Sequence, residues 1–235
     1  MQEIFEALRL AATLVISGDA DLLKIVGLSL YVSSAATILA CVIGVPAGAT
    51  LAVTNFPGRK ACIVFVNALM GLPPVVVGLV VYLYLSRSGP LGFLGLLYTP
   101  TAMIIAQTLL IMPIVIALTR QTLEDLSSEY SEAFRSLGLS RRQTVQALMW
   151  EGRFTLLTVA LAGFGRAIAE VGAVMIVGGN IDNLTRVMTT SIALETSRGN
   201  LPLALALGLV LVTLALLVNV IVQSIRDTAE RQAYV

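Results

Sequence analysis

Histidine is absent from the 235 residues, lysine occurs only at Lys24 and Lys60, and cysteine only at Cys41 and Cys62. Without histidine the chain lacks the commonest metal ligand and the commonest general base. Both cysteines sit in apolar runs and are too few for a metal site, so they read as packing residues without a disulfide. Neither lysine follows a glycine-rich loop of the form Gly-x-x-x-x-Gly-Lys-Ser/Thr, so the chain is not expected to be an ATPase. Charge is scarce as well: 12% of residues are Asp, Glu, Lys or Arg, where a soluble domain carries about 25%. Too little polar surface remains to keep a globule in water. A net charge of +1 also offers nucleic acid no basic footprint.

What is present is apolar length. No charge falls between Lys24 and Arg59, Lys60 and Arg87, Arg87 and Arg120, or Arg198 and Arg226. Each gap exceeds the roughly 20 residues a helix needs to cross a bilayer. Phe154 to Ile181 is interrupted only by Arg166 and Glu170. The expected architecture is all-α, one membrane domain over 1–235, with spans at about 25–53, 61–85, 101–119, 154–177 and 201–225. Asn55-Phe56-Pro57-Gly58 and Ser88-Gly89-Pro90 supply turns between them. The start carries Glu3 and Glu6 in place of a basic stretch, so it does not read as a secretory signal. Ile4, Phe5, Leu8, Ala12 and Val15 share a helix face suited to lying in the membrane interface; a sixth crossing by 4–19 is the alternative. The loops at 54–60 and 120–153 and the C-terminal tail hold nine basic residues. The opposite side holds five: Arg9, Lys24, Arg87, Arg186 and Arg198. The richer side is expected to be cytoplasmic, with the N-terminus outside.

Residues 127–152 read as two short helices around a glycine turn. Ser127 or Ser128 is placed to cap the first, and Tyr130, Ala133, Phe134 and Leu137 form its apolar stripe. Gly138 is placed to end it in a left-handed conformation. Ser140 with Gln143 is a capping box for the second, whose apolar face is Val145, Leu148 and Met149. On spacing alone an ordinary amphipathic hairpin on the membrane surface is the alternative.

The order Glu132-Ala133-Phe134, three residues, Gly138, nine residues, Leu148-Met149-Trp150-Glu151 resembles the coupling loop of ABC importer permeases. That pattern is Glu-Ala-Ala, three residues, Gly, nine residues, Ile-x-Leu-Pro. Phe134 replaces an alanine and the closing proline is missing. The runs Met70–Leu79, Arg166–Ala173, Gly178–Ile181 and Thr185–Thr190 look like permeases of the molybdate/tungstate/sulfate group, closest to the tungstate branch. The resemblance implies a type I importer fold and a homodimer in membrane lipid. It also implies two copies of a separate ATPase that binds ATP and Mg, an external binding protein, and no cofactor in this chain. It places Glu132, Ala133, Phe134, Leu137, Gly138 and Leu139 at the ATPase. A secondary transporter driven by an ion gradient is the alternative, although such proteins usually show inverted repeats and several intramembrane carboxylates.

Two further features are open on sequence. Pro73-Pro74 in the second span removes two backbone donors, leaving carbonyls near Leu69 and Met70 without helical partners. The result is a kink beside a pathway or a bend that shapes packing. Arg166 and Glu170, one helical turn apart, are either a neutralising pair or a cation shown to a passing anion. The hydroxyls of Thr185, Thr189, Thr190 and Ser191 around Arg186 are expected in a solvated loop with a short helix; contact with an oxyanion or a docked binding protein is the alternative.

Overall fold

The computed structural model describes residues 2–233, and those residues form helices and no strands. In chain order the helices are α1 (Gln2–Ile16), α2 (Ala20–Val53), α3 (Arg59–Leu69), α4 (Pro74–Leu85), α5 (Pro100–Glu129) and α6 (Ser131–Ser136). They continue with α7 (Arg141–Glu151), α8 (Arg153–Ile168), α9 (Gly172–Gly178), α10 (Met188–Ser197) and α11 (Leu201–Ala233). Three helices are long and apolar enough to cross a membrane: α2, α5 and the Leu201–Thr228 part of α11. The pairs α3–α4 and α8–α9 each add a crossing if counted as one bent span.

α5 is the axis. Thr99 caps it, Pro100 takes a first-turn position where a missing N–H costs nothing, and Met103, Ala106, Ile111 and Val115 along it are fully buried or nearly so. α2 lies along α5, its small residues Ala36, Ala40 and Ala49 inaccessible. Small side chains suit close helix packing where hydrocarbon offers no hydrophobic drive. Around this pair α4, α8 and α9 complete the core, while α11 presents Leu205, Val212, Leu216, Val220 and Ile225 outward. One end of the bundle gathers Leu22, Met188 and Leu207; the other gathers Ala49, Leu123 and Leu148.

Several expected boundaries move. α2 begins at Ala20 because the Asp19 carboxylate accepts the N–H groups of Asp21 and Leu22. The span expected at 61–85 is not one kinked helix: α3 and α4 meet at 99°. The span expected at 154–177 breaks between α8 and α9, which are bent by 60°. α5 continues ten residues past 119, and Ser127 and Ser128 lie inside it and cap nothing. The Ser128 hydroxyl instead bonds the Asp125 carbonyl of its own helix. α11 likewise runs past 225.

The N-terminal helix also departs from expectation. The side chain of Ile4 lies outside the described residues, but Leu8, Ala12 and Val15 face Leu209, Thr213 and Leu217 of α11. Leu14 packs at the Leu22–Leu207 cluster. α1 therefore runs down the side of α11 from that end of the bundle and does not lie flat. The apolar face predicted for the lipid interface is covered in part by α11, while Phe5, Leu8 and Val15 remain half or more exposed.

Candidate translocation site and coupling surface

The two broken spans meet inside the bundle. At the first break the chain leaves α3 in tight turns: the N–H groups of Met70, Gly71 and Leu72 donate to Asn67, Ala68 and Leu69 at 3.2 Å each. The Leu69 carbonyl, expected to lack a partner, is thus satisfied. Pro73 is the N-cap of α4 and Pro74 its first residue, where a ring at φ near −65° starts a helix well. Among the described residues no hydrogen bond reaches the carbonyls of Met70, Gly71 or Leu72, and Met70, Gly71 and Pro73 are exposed on this chain. Lipid cannot solvate such groups, so this face requires water or another protein surface.

At the second break side chains meet two of the freed carbonyls. The Gln107 side chain donates to the Ala167 carbonyl at 3.0 Å, and the Thr189 hydroxyl to the Glu170 carbonyl at 2.8 Å. The Glu170 carboxylate accepts the Ala173 N–H at 3.2 Å, capping α9, and takes Arg166 at 2.7 Å. Glu170 is 4% exposed, while the Arg166 side chain is 37% exposed and reaches the surface of the chain. The two residues pair as their spacing suggests, but across a helix end and not within one helix. Gln107 was not singled out from sequence, and Thr189 was named only among the hydroxyls around Arg186. The signal was there: Gln107 is the sole amide in 101–119. Its Oε1 is buried without a partner beside a void of about 10 Å³ shared with Ser29, Ser33, Glu170 and Thr189, about the room one water needs.

The breaks abut: Val75 in the first turn of α4 lies against Gly172 at the start of α9. The hydroxyls expected in a solvated loop turn out to be internal. Thr185, Thr189, Thr190 and Ser191 are all buried. Thr185 donates to the Gly178 carbonyl at 2.6 Å and accepts the Ile181 N–H, while Thr190 and Ser191 bond the Val187 carbonyl. Their partners are backbone, which a loop folded back into a bundle must satisfy.

At the other end α5 delivers the chain into the hairpin. α6 is a single short helix with Glu132 in its first turn. Gly138 sits at φ +63°, and the Ser140–Gln143 capping box opens α7. Leu148 is inaccessible with Ala49 and Leu123, and Phe134, Val145 and Met149 pack around them. Phe134 stacks on Tyr130 with ring centres 5.8 Å apart. The phenylalanine that departs from the Glu-Ala-Ala pattern thus fastens α6 to the bundle. Glu132, Ala133 and Gly138 are exposed, Leu139 is half-buried, and Leu137 and Trp150 stand 72% and 70% exposed. A second anchor was invisible in sequence. Glu124 of α5 takes Arg59 on one carboxylate oxygen and Arg120 on the other, and Arg59 Nε donates to the Leu51 carbonyl at 2.8 Å. One carboxylate joins the end of α2, the start of α3 and the shaft of α5.

Known proteins of this kind are transport permeases. The chain is 43% identical to the tungstate uptake system permease protein TupB of Peptoclostridium acidaminophilum, over 97% of this chain and 100% of that one. It is 37% identical to the protein of the same name from Campylobacter jejuni, over 96% and 94%. A probable anion ABC transporter permease protein of Haloferax volcanii is 39% identical over 88% and 91%. Residues 44–231, which contain both broken spans and the hairpin, match the family described as binding-protein-dependent transport system inner membrane component, and the chain belongs to that family.

Proposed function

We propose that this chain is the membrane-spanning subunit of an ATP-driven importer for a compact divalent oxyanion, tungstate or molybdate. The observation that carries the reading is similarity to tungstate permeases along essentially the whole chain, broken spans and hairpin included. Two copies form the pathway. The open carbonyls at Met70–Leu72 support this, because a face that lipid cannot cover needs a second copy or a water-filled passage. Pro73 and Pro74 shape that face, and Arg166 with Glu170 holds the neighbouring break.

The hairpin is the seat of the ATPase. Glu132, Ala133, Leu137 and Gly138 are the exposed contacts, with Phe134 and Leu139 supporting them from the bundle side. Two ATPase subunits bind ATP and Mg, and an external binding protein delivers the anion. The end bearing the hairpin is cytoplasmic and the end bearing Asn183 is outside. A dianion entering a low-dielectric bundle needs water or compensating charge. With Glu170 offsetting Arg166, the passage is wet and selectivity resides in the binding protein. The test is uptake in a strain deleted for this chain, with tungstate, molybdate and sulfate in competition. Restoration of tungstate uptake by the reintroduced gene is the expected result; restored uptake of sulfate alone, or of an uncharged solute, would refute the substrate assignment.

A further inference from the structure

At the end of the bundle that carries Asn183, a cavity of about 640 Å³ opens between the last turn of α4 and the 86–99 connection. Tyr82, Ser86, Arg87, Ser88 and Tyr98 supply its polar lining. Arg87 is the one charged residue among them, and the sequence has no Asp or Glu between Asp21 and Glu124. Lys24, Arg186 and Arg198 each hold a carboxylate, respectively Asp21, Asp182 and Glu195. Arg87 is exposed and takes part in none of the ion pairs among the described residues.

The mount is rigid. The Leu91 N–H donates to the Tyr84 carbonyl at 2.9 Å and that of Gly92 to Gly89 at 3.1 Å. A Cβ on Gly89 would stand 2.1 Å from the Leu83 carbonyl oxygen, so the connection is folded tightly onto the end of α4. The Tyr98 N–H donates to the Val177 carbonyl at 2.9 Å, fixing the far wall to α9. Tyr82 and Tyr98 meet edge to face at 6.4 Å, and the Ser86 and Ser88 hydroxyls lie 3.3 Å apart. An unpaired guanidinium, two phenols and two hydroxyls thus share a mouth with no acid in it. The space is many times the room one water needs, so an anion enters with much of its hydration intact.

We propose that this mouth is a receiving site for the transported oxyanion on the permease itself. Arg87 supplies the charge, and Ser88, Tyr82 and Tyr98 supply hydroxyl donors, between release from the binding protein and entry into the pathway that two copies form. A guanidinium suits this role because it offers several donors in a fixed fork and stays charged at every working pH. The site is for transit: exposure to water keeps binding weak enough for release. The proposal rests on the importer reading above.

The test uses the complete complex, with its ATPase and binding protein, in proteoliposomes. Tungstate uptake and ATP hydrolysis are followed together at increasing binding-protein concentration. Arg87→Gln is expected to lower tungstate moved per ATP about tenfold, the scale of one charge-assisted contact, and Arg87→Lys to recover much of it. Tyr98→Phe, which keeps the ring and removes the hydroxyl, is expected to give a smaller loss of about threefold. The binding-protein concentration for half-maximal ATPase stimulation should stay unchanged. Wild-type tungstate per ATP in Arg87→Gln overturns the proposal. So does a rise in that half-maximal concentration with tungstate per ATP intact, because Arg87 would then be a docking contact for the binding protein. If the wild-type complex moves no oxyanion, the importer reading itself fails, and the two failures are told apart by that control.

Discussion

Gly78 and Ala173 put α4 and α9 in backbone contact: a Cβ built on Gly78 would stand 2.7 Å from the Ala173 Cα. Two half-helices, each starting at a break, therefore touch along their length. Gly78→Val forces them apart, because the obstructing atom is backbone and cannot swing away. Overpacking of this kind costs about 1–3 kcal/mol. The variant is expected to unfold at lower temperature in detergent and to lose most uptake; wild-type values for both would mean the seam is looser than its geometry.

Arg166→Gln leaves the Glu170 carboxylate buried with only the Ala173 N–H. Breaking a buried pair costs about 3–5 kcal/mol, and the partial exposure of Arg166 puts this case at the lower end. Glu170→Gln added to Arg166→Gln removes the stranded charge while keeping an amide oxygen for the cap. The double variant should recover assembly and much of the uptake. If it assembles normally and transports nothing, the pair acts in translocation itself.

Glu124→Gln leaves Arg59 and Arg120 facing one neutral amide. Hydrogen bonds to charged groups contribute about 1.5–3 kcal/mol each, and at least one is lost. Because Glu124 joins α3 to the shaft that reaches the hairpin, transport should fall further than assembly. Uptake per ATP hydrolysed, measured in the assembled complex, is the discriminating quantity. An unchanged ratio would make Glu124 a brace only.

Gly138 is held at φ +63° with open space around a built Cβ, so substitutions there act through the backbone alone. Asn, which tolerates left-handed φ, should leave coupling nearly intact. Val should weaken it and Pro, restricted to negative φ, should abolish uptake while the chain stays in the membrane. Normal uptake by a well-expressed Gly138→Pro variant would remove the hairpin from the coupling mechanism.

Orientation is open to labelling in a background with Cys41 and Cys62 replaced by Ala. Asn183→Cys should react with an impermeant reagent added outside and Arg142→Cys should not. Gln2→Cys should be protected from outside, because α1 descends along α11 from the Asn183 end. Reaction at Gln2 from outside would return α1 to the membrane surface.

The solvent, the fold class and the hairpin were legible from the residues alone. Charge-free runs longer than a bilayer crossing are a local property, and so are a capping box at Ser140–Gln143 and a left-handed glycine at 138. Each was readable without knowing what lies opposite. The rest depended on contacts between distant segments. Whether Pro73-Pro74 bends a helix or ends one depends on whether neighbours hold the freed backbone, and α4 is held by α9 through Gly78 and Ala173. Arg166 and Glu170 look like a pair inside a helix until Gln107 and Thr189, 59 and 23 residues away from Arg166 in the chain, take the carbonyls that the break releases. The hydroxyls of Thr185–Ser191 look solvated because polarity in a sequence does not say which backbone group stands beside it. Burial of a polar group is settled by its partner: for Gln107 and Thr189 that partner lies beyond their own helix, while Thr190 and Ser191 find theirs in the Val187 carbonyl at the start of α10.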